Sequence, residues 1–351
     1  WQREKFTGLA PELASFQPVQ NNISFNHAGA TRGLHAEPWD KLVSVAQGKI
    51  FGAWCDLRDG SESFGEVVTH EVGPETAVFV PRGVANGFQA LEETSYCYLV
   101  NEHWSAEARY AAVNLNIVDW PLEPTEISEK DKQHPALAEV SPMPARRILV
   151  TGANGQLGRA LKRLLADAEL CTHADFDITD PPERNWKQYS AIINCAAYND
   201  VNGAENDRAA AWAVNAEGPA RLARIAAENQ LTLVHVSSDY IFDGSNEVHT
   251  EEELPSPLSA YGASKAAGDT AAQTAPQHYV IRTSWVFGDG ENFMSTMRRL
   301  ATQGVEPKVI HDQRGRPTFA EDLAKGIVHL LDSGADYGVY NLSNSGDTVG
   351  R

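Results

Sequence analysis

The sequence predicts a multidomain chain of two fold classes. An all-β antiparallel jelly-roll barrel is expected over residues 1–137, a linker over 138–145, and an α/β doubly wound parallel sheet over 146–351. Three observations carry this. The length, 351 residues, exceeds one typical domain. The texture changes along the chain: short apolar strands punctuated by Gly and Asp come first, and strands alternating with helical segments follow. Between them stands "PARRILVTGANGQLGRAL" from Pro144, which reads as a buried strand, a glycine turn and a helix start.

Composition excludes several function classes. The net charge is −18 and neither half carries a basic run, so a nucleic-acid partner is not expected. No apolar stretch approaches the ~18 residues that span a bilayer, and no signal peptide is visible. The expected compartment is therefore the cytoplasm, without membrane partners. Cys55, Cys97, Cys171 and Cys195 are scattered, which suits reduced thiols. The chain begins at Trp1 and both ends read as cut, so part of the barrel's opening and part of the last domain are expected beyond them.

The first half places its strands in "KLVSVAQGKIFGAWCDLRDGS", "TAVFVPRGVANGFQAL" and "SYCYLVNEHWS". Apolar and aromatic residues dominate them, as in a barrel or jelly roll. "TRGLHAEPWDK" carries His35 and Lys41. A metal-binding barrel would place two histidines together and another later. Here His35 is followed by Ala36 and Glu37, with Asn86 in "VANGF", so no metal is expected. The polar, proline-bearing stretch "EPTEISEKDKQHPALAEVSPMPA" reads as domain tail plus linker.

"RGLH", "QGKIFGAWCDLR", "FVPRGVANGFQAL", "YLVNEHWS" and "ISEKD", in this order, resemble the cupin-like dTDP-4-dehydrorhamnose 3,5-epimerases over residues 17–135. The resemblance implies His35 as base, Asp131 as its orienting carboxylate, Tyr98 as general acid, and a role for Lys41. It also implies substrate contacts at Gln20, Asn22, Arg32 and Asn86, and a homodimer. The chemistry is coherent. Imidazole is a usable base near neutral pH. A carboxylate on its far nitrogen fixes the tautomer. A cation such as Lys41 stabilises an enolate. Two departures stand out: the family's "AHGF" is "ANGF" here, and its "FDV" is "FGA", so Asn86 and Gly52 replace a His and an Asp. Two readings follow, an active epimerase or a non-catalytic binding or dimerisation module.

In the second half, "RILVT" is the first strand. Gly152, Gly155 and Gly158 permit a tight turn and close approach to a pyrophosphate, and the helix beyond favours its charge. Further strands are expected at 191–197, 231–238 and 279–286, with one helical run over 209–230. This βαβ rhythm implies a Rossmann-type parallel sheet, with ligands beyond the strands' carboxyl ends. Tyr261 and Lys265 in "YGASK" share one helix face. A nearby ammonium is expected to lower the phenol's pKa for proton transfer to a carbonyl oxygen. Ser238, ending a strand, adds a hydroxyl to orient that carbonyl.

"ILVTGANGQLG", "NCAAYNDV", "VSSDYIFDG", "SAYGASKAAGD", "RTSWVFG" and "DQRGRPTFAEDLA" resemble the dTDP-4-dehydrorhamnose reductases of the extended short-chain dehydrogenases, over residues 146–351. The resemblance implies Ser238, Tyr261 and Lys265 as the catalytic trio and NADPH or NADH as cofactor. Gly152, Gly155, Gln156, Leu157, Gly158, Asp177, Ile178, Ala196, Ala197, Tyr261 and Lys265 would surround the cofactor, and Trp285 would line the sugar site. The family's "AYTAVDKAE" reads "AYNDVNGAE", so Asn202 and Gly203 replace an Asp and a Lys. An acid at Asp175 or Asp177 would favour NADH, and His173 would tolerate a 2′-phosphate. Together the halves imply a bifunctional enzyme of dTDP-L-rhamnose formation. It would epimerise dTDP-4-dehydro-6-deoxyglucose at C3 and C5 and then reduce the C4 ketone. The other reading keeps the reductase and leaves the barrel non-catalytic.

Overall fold

Strands with alternating inward apolar residues build the first half. They are β1 (Gln20–Asn26), β2 (Thr31–Ala36), β3 (Lys41–Gln47), β4 (Ile50–Asp56), β5 (Val67–Val72), β6 (Ala77–Val80), β7 (Val84–Ala90), β8 (Thr94–Val100) and β9 (Ala111–Ala112). The computed structural model describes residues 5, 13, 16–105, 108–290, 292–306 and 313–350. The chain divides into two units, Trp1–Ala145 and Arg146–Arg351.

In the first unit every strand pairing is antiparallel, in two sheets ordered β1-β8-β3-β6 and β5-β4-β7-β2-β9. Strand β4 shows why its residues run apolar without a break. Ile50 and Trp54 pack with Val43, Val45, Phe88 and Tyr96 of both sheets. Ala53 and Cys55 point the other way. They pack under Val113, Leu115, Val118 and Met143 from the tail that follows the strands. That tail changes one expectation. Residues 138–145 are not a free linker: Met143 is 1% exposed, its N–H donates to the Leu57 carbonyl, and Asp59 donates back to the Met143 carbonyl. Covering apolar residues on the outer face of the sheet outweighs the polar, proline-rich composition.

The second unit is a six-stranded, all-parallel sheet. Its strands are β10 (Arg147–Thr151), β11 (Glu169–Cys171), β12 (Tyr189–Asn194), β13 (Thr232–Ser238), β14 (His278–Thr283) and β15 (Gly338–Asn341), in the order β11-β10-β12-β13-β14-β15. Adjacent residues face opposite layers. Leu149, Ile192, Leu233 and Val280 meet Leu222, Ala223 and Ala226 of helix α2 (Gly218–Asn229). Val150, Ile193, Val234 and Ile281 meet Leu157 and Leu161 of α1 (Gln156–Leu164) and Leu323 and Ile327 of α4 (Ala320–Ser333). Helices therefore cover both faces, which is why the strands lack polar alternation. The chain leaves β10 for β11 on one side and later returns to β12 on the other. This reversal opens a crevice at the carboxyl ends of β10 and β12.

Two expected elements are interrupted. The run 209–230 is not one helix: a π-turn over Ala213–Glu217 precedes α2. Pro219 has no N–H to give to the Asn215 carbonyl, so the regular ladder cannot close there. The freed carbonyl is where α3 (Ala260–Ala272) crosses closest, because a Cβ on Gly268 would fall on Asn215 O. The strand expected over 279–286 ends at Thr283, and Trp285 follows with φ +40°. The stretch "DQRGRPTFAEDLA" begins at Asp312, outside the described residues.

Gly268→Ala should destabilise the second unit by about 1–3 kcal/mol, since backbone, not a movable side chain, blocks the added methyl. Chemical denaturation followed by circular dichroism measures it.

Candidate active sites

His35 on β2 and Glu37, one residue past its end, face the same cavity of about 680 Å³. Gln20, Asn22, Trp39 and Tyr98 also line it. A neighbouring lobe of about 390 Å³ shares His35, Glu37 and Tyr98 and reaches Arg32, Lys41, Asn86 and Tyr96. His35 is held from far away in sequence. Ser128 caps the one-turn helix Glu129–Lys132 and accepts from the Asp131 N–H. Asp131 is 3% exposed, and its Oδ1 lies 2.8 Å from His35 Nε2, while Oδ2 accepts from the Gly33 N–H at 3.2 Å. Burial opposes the charge on Asp131, but the bonds from His35, Gly33 and Ser128 prevail and its pKa is lowered. Nε2 is thus committed to Asp131, and Nδ1 is the nitrogen left to act as base.

His134 sits beside this pair, with its ring edge-on to His35 at 5.0 Å. Burial and the neighbouring His35 lower its pKa. Tyr98 is pushed up by burial and by Glu37, so it is a neutral phenol. Lys41 Nζ stands 5.0 Å over the Tyr98 ring. One expectation changes here. Lys41 is not a free cation, because its Nζ donates to Glu37 Oε1 at 2.5 Å and both side chains are largely buried. Glu37 was not among the expected site residues. The signal for it was its two-residue spacing from His35, since a carboxylate two residues on in a strand shares the histidine's face.

The two family departures have a common structural basis. A Cβ on Gly52 would strike the Trp54 ring. Trp54 therefore fills the space that a side chain at 52 would take. Across the strand pair, Asn86 lies opposite both His35 and Trp54. Its amide donates to Tyr96 Oη at 3.1 Å, and Tyr96 stacks on Phe88. Of the expected substrate contacts, Gln20 donates to Asn22 at the cavity wall, and Arg32 pairs with Glu126 at 2.6 Å. The expectation of no metal meets one group among the described residues that could hold a cation, His35, Asp131 and His134.

In the second unit a cavity of about 460 Å³ lies at the carboxyl ends of the strands. Gly155, Gln156, Leu157, Gly158, Ala197, Ser238, Tyr261, Lys265 and Trp285 are all on its wall. The glycine turn works as its residue types require. Gly152 has φ +66°, and a Cβ there would lie 2.7 Å from the Ala196 nitrogen. A Cβ on Gly158 would lie 2.6 Å from Ala153 Cα. Gly155 caps α1 without a side chain, which leaves the first helical N–H groups to a ligand. A polar ladder braces the crevice: Thr151 donates to Asn194 Oδ1 at 2.7 Å, and Asn194 Nδ2 meets His235 Nδ1 at 3.1 Å.

Ser238 donates to Asp239 Oδ1 at 3.1 Å and accepts from the Tyr240 N–H. Burial raises the Asp239 pKa to about 6. Lys265 is 2% exposed and its Nζ donates to the Val236 carbonyl at 2.7 Å. Burial lowers its pKa to about 8, against the pull of Asp269 one helical turn on. The expected effect on Tyr261 is reversed. Burial pushes Tyr261 up to about 12, and contact with Ser238 only partly opposes this. The Lys265 ammonium is turned to the β13 backbone, and burial leaves Tyr261 protonated. Asp175 and Asp177 fold back onto Thr172 and Thr179, and neither they nor Ile178, which is buried beneath Gly218, line the cavity. His173 lies 3.8 Å from Asp177 and is exposed.

Fold and sites together define a chain of two enzyme domains, an antiparallel two-sheet domain with a carboxylate-backed histidine and a parallel-sheet domain with a Tyr-x-x-x-Lys pair beside a glycine turn. The chain belongs to the RmlD substrate binding domain family over residues 146–349 and to the dTDP-4-dehydrorhamnose 3,5-epimerase family over residues 1–139. A dTDP-4-dehydrorhamnose reductase of Mycobacterium tuberculosis is 41% identical over 216 residues, 58% of this chain and 71% of that protein. A protein called RmlC homolog from Streptococcus pyogenes is 52% identical over 154 residues, 41% of this chain and 78% of that protein. The crystal structure of a dTDP-4-dehydrorhamnose reductase from Bacillus anthracis, in complex with NADP, is similar with a TM-score of 0.52 and 36% identity. It covers 57% of this chain and 75% of that one. Its counterpart from Clostridium acetobutylicum matches with a TM-score of 0.53 and 37% identity, over the same shares.

Lys41→Met leaves the Glu37 carboxylate buried and uncompensated. It should cost about 3–5 kcal/mol of barrel stability, and adding Glu37→Leu should recover most of that. Urea unfolding of the single and double variants decides it.

Proposed function

We propose that the chain performs two successive reactions on a dTDP-bound 4-keto-6-deoxyhexose. The barrel, read as a cupin-type jelly roll, inverts C3 and C5. The second unit, read as a Rossmann-type doubly wound domain, reduces the C4 ketone. The observation that carries this is the presence in one chain of two complete proton-handling sets, His35–Asp131 facing Tyr98, and Tyr261 with Ser238 and Lys265.

In the barrel, protons at C3 and C5 are acidic because each carbon flanks the ketone. His35 Nδ1 removes one, and Asp131 holds the imidazole in the right tautomer and stabilises the imidazolium. Lys41, steadied by Glu37, faces the enolate oxygen. Tyr98, a buried neutral phenol, returns a proton to the opposite face. Asn86 and Trp54 reshape the lobe beyond His35 without touching the dyad's bond to Asp131.

NADPH or NADH fits the second unit: Gly155 lines the cavity and caps α1 without a side chain, so the first helical N–H groups are open to a pyrophosphate. Gly155, Gln156 and Leu157 would hold it at the start of α1, with Ala196 and Ala197 nearby. When bound there, the dinucleotide would supply the hydride for C4. Tyr261 donates its phenolic proton to the C4 oxygen, and Ser238 orients that oxygen. Lys265 keeps positive charge beside the cofactor, and Trp285 walls the sugar site. Exposed Ile23 and Phe25 on the edge strand β1 support a homodimer through the barrel. Free cysteines at 55, 97, 171 and 195 agree with the cytoplasm. Among the described residues no helix is long and apolar enough to cross a membrane.

The test is dTDP-4-dehydro-6-deoxyglucose with NADPH in D₂O, followed by NMR. Deuterium should enter at C3 and C5, and NADPH should be consumed. His35→Ala should abolish deuterium entry. If entry persists, the barrel is a binding or dimerisation module only. Tyr261→Phe should lower reductase kcat by about 10²–10⁴ and leave exchange intact. Reductase kcat should fall as pH rises through about 8, because Lys265 is charged below that value and neutral above it. A flat profile to pH 9–10 would show that Lys265 stays charged in the complex.

A further inference from the structure

The His35–Asp131 bond has a third neighbour that the epimerase chemistry leaves unused. The His134 side chain is only 7% exposed, yet both its ring nitrogens are buried without a hydrogen bond. The Gly33 carbonyl favours its charged form but does not reach bonding geometry. Buried polar nitrogens left without a partner are costly and ask for a ligand. His134 Nε2 lies 3.9 Å from Asp131 Oδ1, which is itself 2.8 Å from His35 Nε2. One ligand atom from each of the three lies within 4.8 Å of the others. Ligands bound to zinc at about 2.0–2.2 Å stand roughly 3.3–3.5 Å apart around a tetrahedron, so small side-chain shifts complete the geometry.

We propose that His35 Nε2, Asp131 and His134 form a site for a divalent transition-metal cation of the zinc type, and that its occupation switches the epimerase off. Two imidazoles and one carboxylate select zinc, cobalt or nickel over magnesium or calcium. The fourth position is left to water. The inhibition follows from proton placement. In the metal-free dyad His35 carries its proton on Nε2, bonded to Asp131, and its basic lone pair on Nδ1. Coordination takes the Nε2 lone pair, so the proton resides on Nδ1. No net proton is released from neutral His35, and its basic nitrogen is gone. The metal and the epimerase reaction therefore exclude each other. The inhibitory half of this inference rests on the function proposed above; the binding half does not.

The full chain, stripped with a chelator, is titrated with Co²⁺ and its visible absorption recorded. Four-coordinate d–d bands should appear in the wild type, be displaced by Zn²⁺, and be absent from both His134→Ala and His134→Gln. The glutamine variant keeps a polar side chain should the alanine misfold. Deuterium entry at C3 and C5 is then measured against Zn²⁺, each protein relative to its own metal-free rate. The wild type should be inhibited at a concentration at least about tenfold lower than either variant. Bands and zinc sensitivity unchanged by both substitutions overturn the site. Cobalt bands that depend on His134 in a chain with no proton exchange would keep the site and reject the epimerase reading.

Discussion

Burial of charge is the constraint on which both units depend. Each site takes ionised groups out of water, and each must compensate them locally or lose them. In the first unit the compensation is long-range. Asp131 arrives from the tail, 98 residues after Gly33, and closes on both the Gly33 N–H and the His35 ring. The tail can deliver it only because Val113, Leu115, Val118 and Met143 lie down on the outer sheet face. Packing that looks purely structural therefore sets the partner of the His35 ring. Lys41 and Glu37 solve the same problem within five residues.

In the parallel-sheet unit the compensation is mostly backbone. Lys265 donates a hydrogen bond to the Val236 carbonyl, and the carboxylate that favours its charge, Asp269, is itself held by Arg282 Nε at 3.1 Å. Helix α3 must approach the sheet closely for this. Gly268 and the π-turn freed by Pro219 provide the approach. The same burial that fixes Lys265 raises Tyr261 and Asp239, so the cavity holds a phenol in its protonated form beside a carboxyl that titrates near neutrality. A reductase needs such a donor.

Gly52, Trp54 and Asn86 act as one unit. Trp54 occupies the room that Gly52 vacates, and Asn86 turns its amide to Tyr96. The result is an apolar, aromatic back wall of Trp54, Phe88 and Tyr96 behind the histidine. Asp131, the partner that orients His35, comes from elsewhere and is untouched.

Much was legible in the residues alone. The antiparallel first half and parallel second half, the strand "RILVT", the glycine turn, and the cavity residues Tyr261, Lys265 and Ser238 follow from local patterns of period, turn chemistry and spacing, whereas Trp285 came through family resemblance. His35 and Asp131 were legible only through family resemblance, since no spacing rule joins positions 96 apart. What the sequence by itself determined is which groups are available and which backbone geometries are allowed: glycine at a φ of +66°, proline where a helix must break, hydroxyl, phenol and ammonium in order. Tertiary structure alone decided their ionic states and partners. It turned Lys265 to a carbonyl instead of Tyr261, joined Lys41 to Glu37, folded Asp175 and Asp177 back on threonines, and set His134 beside the dyad. Proton affinity and pairing depend on burial and on neighbours brought together by packing, and neither quantity is local to the chain.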